Sequence, residues 1–167
     1  MIPGSAAPAG TGTPCRDLFN QTIGETIAQA VRIIAGEPAL VIPGTVILHH
    51  QRKAAAVRQQ YEGDGLLVPP VMIVSITSRC NLACSGCYMH GRGEKPKKDM
   101  SGETLLSVIY QAAELGVSIM VIAGGEPFVR QDEIFTLAKT HPRVLFPVFT
   151  NGLLIDRALA EKIAACR

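Results

Sequence analysis

The sequence predicts an α/β fold with a parallel sheet, and two observations predict it. From Pro69 onward, short apolar runs alternate with helical stretches in the order βαβαβα, a pattern that covers a parallel sheet with helices through right-handed crossovers. Each apolar run also leads into a cluster of turn-forming or reactive residues: Thr77-Ser78-Arg79-Cys80, then Gly124-Gly125-Glu126-Pro127, then Thr150-Asn151-Gly152. In parallel α/β folds ligands bind beyond the carboxyl ends of the strands, so the three clusters are expected to converge on one pocket.

The chain is expected to begin with a flexible tail over residues 1–17, because 1–14 are mostly Pro, Gly, Ala, Ser and Thr and cannot repay the entropy of ordering. A helical segment follows over 18–68. Within it Ile23, Ile27, Ala30, Val31 and Ile34 recur at helical spacing, and Gly36-Glu37-Pro38 is the expected stop. The apolar run 39–48 contains a Pro43-Gly44 break and is shorter than the roughly 20 residues that span a bilayer. A helical lid or pedestal on the main domain is expected there, with an interfacial membrane contact through 39–48 as the lesser alternative. His49-His50-Gln51-Arg52-Lys53 then opens a more polar helix to Tyr61, and both histidines are expected at the surface.

The main domain is expected over 69–167, after a boundary marked by Gly63-Asp64-Gly65 and Pro69-Pro70. Val71–Thr77 reads as a buried strand, and Ser101 as the N-cap of a helix that reaches Leu115 and stops at Gly116. Val117–Ala123 is the second strand and Gln131–Lys139 the second helix. Val144–Phe149 is a third strand, in which Pro147 is unexpected for a central position. Asp156 caps a last helix that runs to the end of the chain.

Composition narrows the class of protein. At 167 residues there is room for one core of ordinary size and an appendage. A net charge of +2 with 18% charged residues makes no broad basic field, so no nucleic-acid partner is implied. Five cysteines, three of them in one loop, do not form a secreted disulfide framework. The start, Met1 to Ala6, lacks the cationic region and apolar core of a signal peptide, and a reducing cytoplasm is the expected compartment.

Cys80, Cys84 and Cys87 are the residues that promise chemistry. Clustered thiolates favour iron–sulfur clusters, zinc or copper(I). A closed zinc site needs a fourth ligand, and His90 follows closely after Cys87. An iron–sulfur electron carrier usually uses four cysteines, whereas Cys15 and Cys166 lie near opposite ends with no ligand spacing. Taken alone, the cysteines leave open a three-cysteine cluster with a vacant iron position, a Cys3His zinc-binding module without catalysis, and an iron–sulfur electron-transfer protein.

The spacing Cys-x3-Cys-x2-Cys after the run Val71 to Ile76 resembles the cluster-binding loop of the radical S-adenosylmethionine (radical SAM) enzymes. Gly124-Gly125-Glu126-Pro127 is similar to that family's GGEP segment, and Thr150-Asn151-Gly152 to its TNG turn, in the family's order. The resemblance covers Val71 to Arg167. It implies a partial (βα) barrel of the radical SAM type, with about three βα units present and a helical N-terminal segment before them. It further implies that Cys80, Cys84 and Cys87 hold three irons of a [4Fe-4S] cluster whose fourth iron takes S-adenosylmethionine. Reductive cleavage of that cofactor would give a 5′-deoxyadenosyl radical that abstracts hydrogen from an unidentified substrate, with no catalytic residue assigned beyond the cluster.

By the same resemblance, Gly124 and Gly125 allow close backbone approach and offer carbonyls to the cofactor's ammonium, Glu126 offers a carboxylate, and Pro127 fixes the turn. Thr150 and Asn151 present a hydroxyl and an amide to its ribose or methionine part. The family often carries an aromatic residue just before the third cysteine; this chain has Gly86 there, so Tyr88 becomes the candidate neighbour of the adenine. His90 is then a loop residue. The implied reductant is a low-potential donor such as a flavodoxin or ferredoxin, and Arg92, Lys95, Lys97 and Lys98 could dock one, although charge runs are usually solvated loops. The family's barrel has six βα units, which leads to the expectation that this chain is the N-terminal part of a longer enzyme.

Overall fold

The computed structural model describes residues 25, 28–29, 31–33, 35–36, 38–88 and 98–166. The expected tail and Cys15, Ile23, Ile27, Ala30, Ile34, His90, Arg92, Lys95 and Lys97 lie outside the described residues. The chain divides between Gly44 and Thr45 into two units. In the first, the described residues between 25 and 36 are helical, with Val31 and Ile33 exposed.

Helix α1 runs without interruption over Pro38–Gly63. The expected break at Pro43-Gly44 and the expected fresh start at His49 are therefore corrected. Proline in a helix removes one backbone donor and crowds the preceding turn, but Pro43 lies only five residues past the first, where few bonds precede it. Among the described residues, no helix is long and apolar enough to cross a membrane.

The second unit is an α/β layer. Strands β1 (Val71–Thr77) and β2 (Ile119–Gly124) pair in parallel, from Val71 opposite Ile119 to Ser75 opposite Ala123, with an irregularity between Ser75 and Thr77. Helix α2 (Gly102–Glu114) connects them; the Ser101 side chain accepts from the Thr104 N–H, and Gly116 takes φ +93° just past the helix. After β2 come a 3-10 turn at Pro127–Arg130, helix α3 (Gln131–Thr140) and helix α4 (Arg157–Ala165). Asp156 caps α4 by accepting from the Leu159 N–H at 2.7 Å, as its position predicts.

The expected third strand is only partly formed. Residues 144–149 meet β2 in parallel through two isolated bridges, Ile119 with Leu145 and Ile122 with Val148. Met120 and Ile122 donate to the carbonyls of Leu145 and Pro147, while Leu145 and Phe149 donate back to Ser118 and Ile122. The regular parallel pattern calls for a donor at position 147 in between. Proline has none, so the ladder is interrupted at that residue.

The core explains the spacing of the apolar residues. Leu105, Ile109 and Ala112 recur along one face of α2 and pack with Val74 and Ile76 of β1, Met120 and Ile122 of β2, Ile134 and Leu137 of α3, and Leu159 of α4. β1 alternates accordingly: Val74 and Ile76 are buried, whereas Ile73 is 69% exposed on the opposite face. β2 lies between β1 and 144–149, and Met120, Val121 and Ile122 are buried in succession, as in a strand covered on both faces.

From Gln51 to Arg58, α1 braces the amino end of β2. Gln51 and Ser118 form a reciprocal pair: the Ser118 hydroxyl donates to Oε1 at 2.6 Å, and Nε2 donates to the Ser118 carbonyl at 3.3 Å. Arg58 donates to the Gly116 carbonyl, and a Cβ at Gly116 would meet the Ala54 carbonyl at 2.8 Å. These contacts come from the polar stretch after the apolar run 39–48, and they lie at the end of the strands opposite the reactive clusters.

His50 is a correction as well. It is half-buried, and its Nδ1 is enclosed without a hydrogen-bond partner among the described residues. Desolvation, followed by the charges of His49, Arg143 and Lys53, lowers its pKa below 6.5. The unfolded chain therefore binds a proton more readily than the folded one. Stability contributed by neutral His50 is present above pH 6.5 and falls as the pH drops below it, levelling once the folded histidine is protonated too. Thermal midpoints measured between pH 7.5 and 5 are expected to decline in the native chain and to decline less in His50→Leu.

Candidate functional site

The carboxyl ends of β1 and β2 are joined by backbone contacts that only glycine permits. Gly125 N–H donates to the Thr77 carbonyl and Glu126 N–H to the Arg79 carbonyl, both at 2.8 Å. A Cβ at Gly124 would lie 2.3 Å from the Thr77 oxygen, and one at Gly125 would lie 2.2 Å from the Arg79 oxygen. Gly124 also has φ +135°, a conformation side chains disfavour. The close approach expected at these glycines is thus made by the chain itself, between the GGEP segment and the root of the cysteine loop.

Glu126 turns its carboxylate inward. The residue is 0% exposed. Its Oε1 accepts from the Phe128 N–H at 2.9 Å and from the Thr150 hydroxyl at 2.8 Å; Oε2 accepts from the Asn151 N–H at 2.9 Å. A buried carboxylate requires such donors, and these fasten the TNG turn to the GGEP turn. Thr150 Oγ1 also accepts from the Gly152 N–H at 3.0 Å, in a turn where Gly152 has φ +78°.

Asn151 completes the junction. Its Nδ2 donates to Asn81 Oδ1 at 2.8 Å, inside the cysteine loop, and its Oδ1 accepts from the Leu153 N–H at 3.0 Å. Cys80 Sγ lies 4.0 Å from the same Nδ2 and accepts from the Leu82 N–H at 3.4 Å. All three sequence clusters therefore meet through hydrogen bonds at one edge of the sheet.

The cysteines themselves lie free along residues 80–87, with Cys80 and Cys87 half-buried and Cys84 exposed. Cys87 N–H donates to the Cys84 carbonyl at 3.1 Å, which places those two on one turn. Among the described residues, no three Cys, His, Asp or Glu side chains are gathered in the arrangement of a metal site. The donor set nevertheless fits an iron–sulfur group: three unpaired thiols on one exposed loop, with no carboxylate inside residues 80–87. Tyr88 stands 63% exposed beside them, and Cys166 is free and exposed beyond α4.

Sequence patterns missed three supporting residues. Asp99 reaches back to the loop's root, where Oδ2 accepts from Thr77 Oγ1 at 2.8 Å and Arg79 Nε at 3.2 Å, and Oδ1 from the Ser78 N–H at 3.0 Å. Desolvation raises its pKa, but the bonds from Thr77, Ser78 and Arg79 and the charge of Arg79 outweigh this, and the net shift is downward. Arg130 is 5% exposed; Nη1 donates to the Ile76 carbonyl at 2.6 Å, while Nε and Nη2 grip Glu133 at 3.1 and 3.0 Å. The Arg130–Glu133 spacing was a visible signal for a helix-start ion pair. Asn81 and Asp99 gave none, because their partners are distant in sequence.

This is a parallel α/β protein whose thiol-bearing loop is tied to a glycine-glycine-glutamate turn and an asparagine turn at the carboxyl edge of the sheet. Residues 74–167 match the radical SAM superfamily, more than half of the chain, and the chain belongs to that family. Enzymes of the family use a [4Fe-4S] cluster and S-adenosylmethionine. A probable GTP 3′,8-cyclase of Methanococcus maripaludis is 36% identical over 92 residues, 54% of this chain and 31% of that protein. An Fe-coproporphyrin III synthase of Methanosarcina barkeri is 34% identical over 95 residues, 56% of this chain and 24% of its own length. A PqqA peptide cyclase of Granulibacter bethesdensis is 34% identical over 97 residues, 57% of this chain and 26% of its own. The chain thus spans no more than about a third of these relatives.

Two substitutions test the junction. Glu126→Gln sets an amide N–H against one of the three donors, and is expected to cost about 1–3 kcal/mol in urea unfolding. Gly125→Ala forces the Arg79 carbonyl away and is expected to cost about as much. Unfolding midpoints equal to the native chain's in both variants would show that the junction contributes nothing to stability.

Proposed function

We propose that this chain holds the radical-generating site of a radical SAM enzyme on the first part of a (βα) barrel. The observation that supports it best is the hydrogen-bonded junction of the three clusters, through Glu126 to Thr150 and Asn151 and through Asn151 to Asn81. In this proposal the core occupies 69–167. Cys80, Cys84 and Cys87 hold the cluster and leave one iron for S-adenosylmethionine. When bound, the two groups supply a reductively generated 5′-deoxyadenosyl radical that abstracts hydrogen from a substrate.

The chain's own residues bind and orient. Gly124 and Gly125 present backbone carbonyls to the cofactor's ammonium, and Pro127 starts the turn that follows them. Glu126, buried with both oxygens engaged, serves by holding Thr150 and Asn151 in place. Thr150 and Asn151 line the edge where the ribose or methionine part is received, and exposed Tyr88 is available to the adenine. A low-potential donor such as a flavodoxin or ferredoxin supplies the electron, and a reducing cytoplasm suits exposed thiols.

Relatives named for a GTP cyclisation, a porphyrin synthesis and a peptide cyclisation all match this chain over similar lengths. That favours shared radical generation over a shared substrate. The substrate therefore stays unassigned.

Anaerobic reconstitution with iron and sulfide tests the proposal. The expected result is a brown protein whose reduced-cluster electron paramagnetic resonance signal shifts on adding S-adenosylmethionine, with methionine released under dithionite. Loss of the cluster is expected on replacing any one of Cys80, Cys84 and Cys87 by Ala. A colourless protein that takes up zinc, or a cluster whose signal ignores S-adenosylmethionine, defeats it.

A further inference from the structure

Arg79, the residue immediately before Cys80, is held through its N–H, its carbonyl and its Nε. Its N–H donates to Thr77 Oγ1 at 3.0 Å, its carbonyl accepts from the Glu126 N–H at 2.8 Å, and its Nε donates to Asp99 Oδ2 at 3.2 Å. Thr77 Oγ1 is the relay: it accepts from Arg79 and donates to Asp99 at 2.8 Å. Asp99 also takes the Ser78 N–H at 3.0 Å. One carboxylate thus reaches three consecutive residues at the point where β1 ends and the cysteine loop begins.

The position of Asp99 gives this arrangement its meaning. It follows the loop in sequence and lies just before Ser101, the cap of α2. The excursion between Arg79 and Asp99 carries all three cysteines and Tyr88, and Asp99 joins its exit to its entrance. Closing a loop at its base limits the conformations open to everything between the two ends. The ionised carboxylate is well suited to this: it accepts from a hydroxyl, a backbone N–H and a guanidinium at once, each bond strengthened by charge.

We propose that Asp99 is a positioning residue for the metal-binding loop, latching its two ends so that the three thiols stay within reach of one another. The inference rests on the cluster assignment above, since the latch serves the cysteines only if they act together. It goes beyond that assignment because Asp99 belongs to none of the three clusters that mark the site.

The test compares the full chain with Asp99→Ala, Asp99→Asn and Asp156→Ala. Asp156→Ala removes the N-cap of α4, whose side-chain bond goes to Leu159 and not to the loop, and is the control for a general loss of stability. Amide hydrogen exchange at Ser78 to Leu82 in the metal-free protein is expected to quicken by about tenfold in Asp99→Ala, the scale for bonds to a charged acceptor. It is expected to quicken less in Asp99→Asn, which keeps one acceptor oxygen, and to stay unchanged in Asp156→Ala. After reconstitution, cluster loss to an iron chelator is expected to accelerate in the same order.

Unchanged exchange at Ser78 to Leu82 in Asp99→Ala overturns the latch, whether or not the native chain takes up a cluster. Faster exchange with chelator loss identical to the native chain overturns its service to the cysteines. A native chain that binds no cluster defeats the cluster assignment and this inference's link to it, while the exchange result still decides whether Asp99 holds the loop.

Discussion

The approach of Gly124 and Gly125 to the backbone of Thr77 to Arg79 is the constraint on which the rest of the site depends. Beyond the last regular pair, the two chains continue to exchange backbone bonds because no side chain stands between them. The register irregularity between Ser75 and Thr77 falls just before this point. Once the GGEP segment is held this tightly against β1, Glu126 points into the protein, and the 3-10 turn and α3 start from a fixed place. Arg130 then reaches back to the Ile76 carbonyl and fixes the turn from its other side.

A buried carboxylate is an expensive way to hold two turns together. An apolar side chain of similar size could fill the space under the TNG turn at lower desolvation cost. It could not specify where that turn sits. Glu126 can, because its oxygens are satisfied only when the Thr150 hydroxyl and the Asn151 N–H arrive in one arrangement alongside Phe128. The same arrangement puts the Asn151 amide against Asn81. Burial of the charge is thus converted into the relative placement of three loops.

Much of this was legible in the sequence, for local reasons. Ser101, Asp156 and Gly116 announced helix ends because caps are chemistry between near neighbours. The three clusters at the strand ends announced their meeting place, which the bonds from Glu126 and Asn151 make. Three things were not legible. Pro43 looked like a helix break, yet α1 continues through it. The bonds that Glu126 and Asn151 make to the protein were not visible in their turn sequences. Asp99 carried no signal, because a partnership across about twenty positions leaves no periodic trace.

The two ends of the sheet are built for different tasks. At the amino end of β2, Gln51 and Arg58 grip the backbone at Ser118 and Gly116, in a junction with polar groups paired. At the carboxyl end the anchors stop at Arg79, Glu126 and Asn151, and beyond them the loop from Asn81 to Gly86 is exposed. Loops with few buried contacts open at low free-energy cost, and binding sites are drawn from such segments. In the proposed function the three thiols close around an inserted metal group, which needs backbone freedom between them and firm roots outside them. Asp99 and the glycine pair hold the loop at its base while leaving Cys84 in solvent, which is the distribution of rigidity that such an insertion requires.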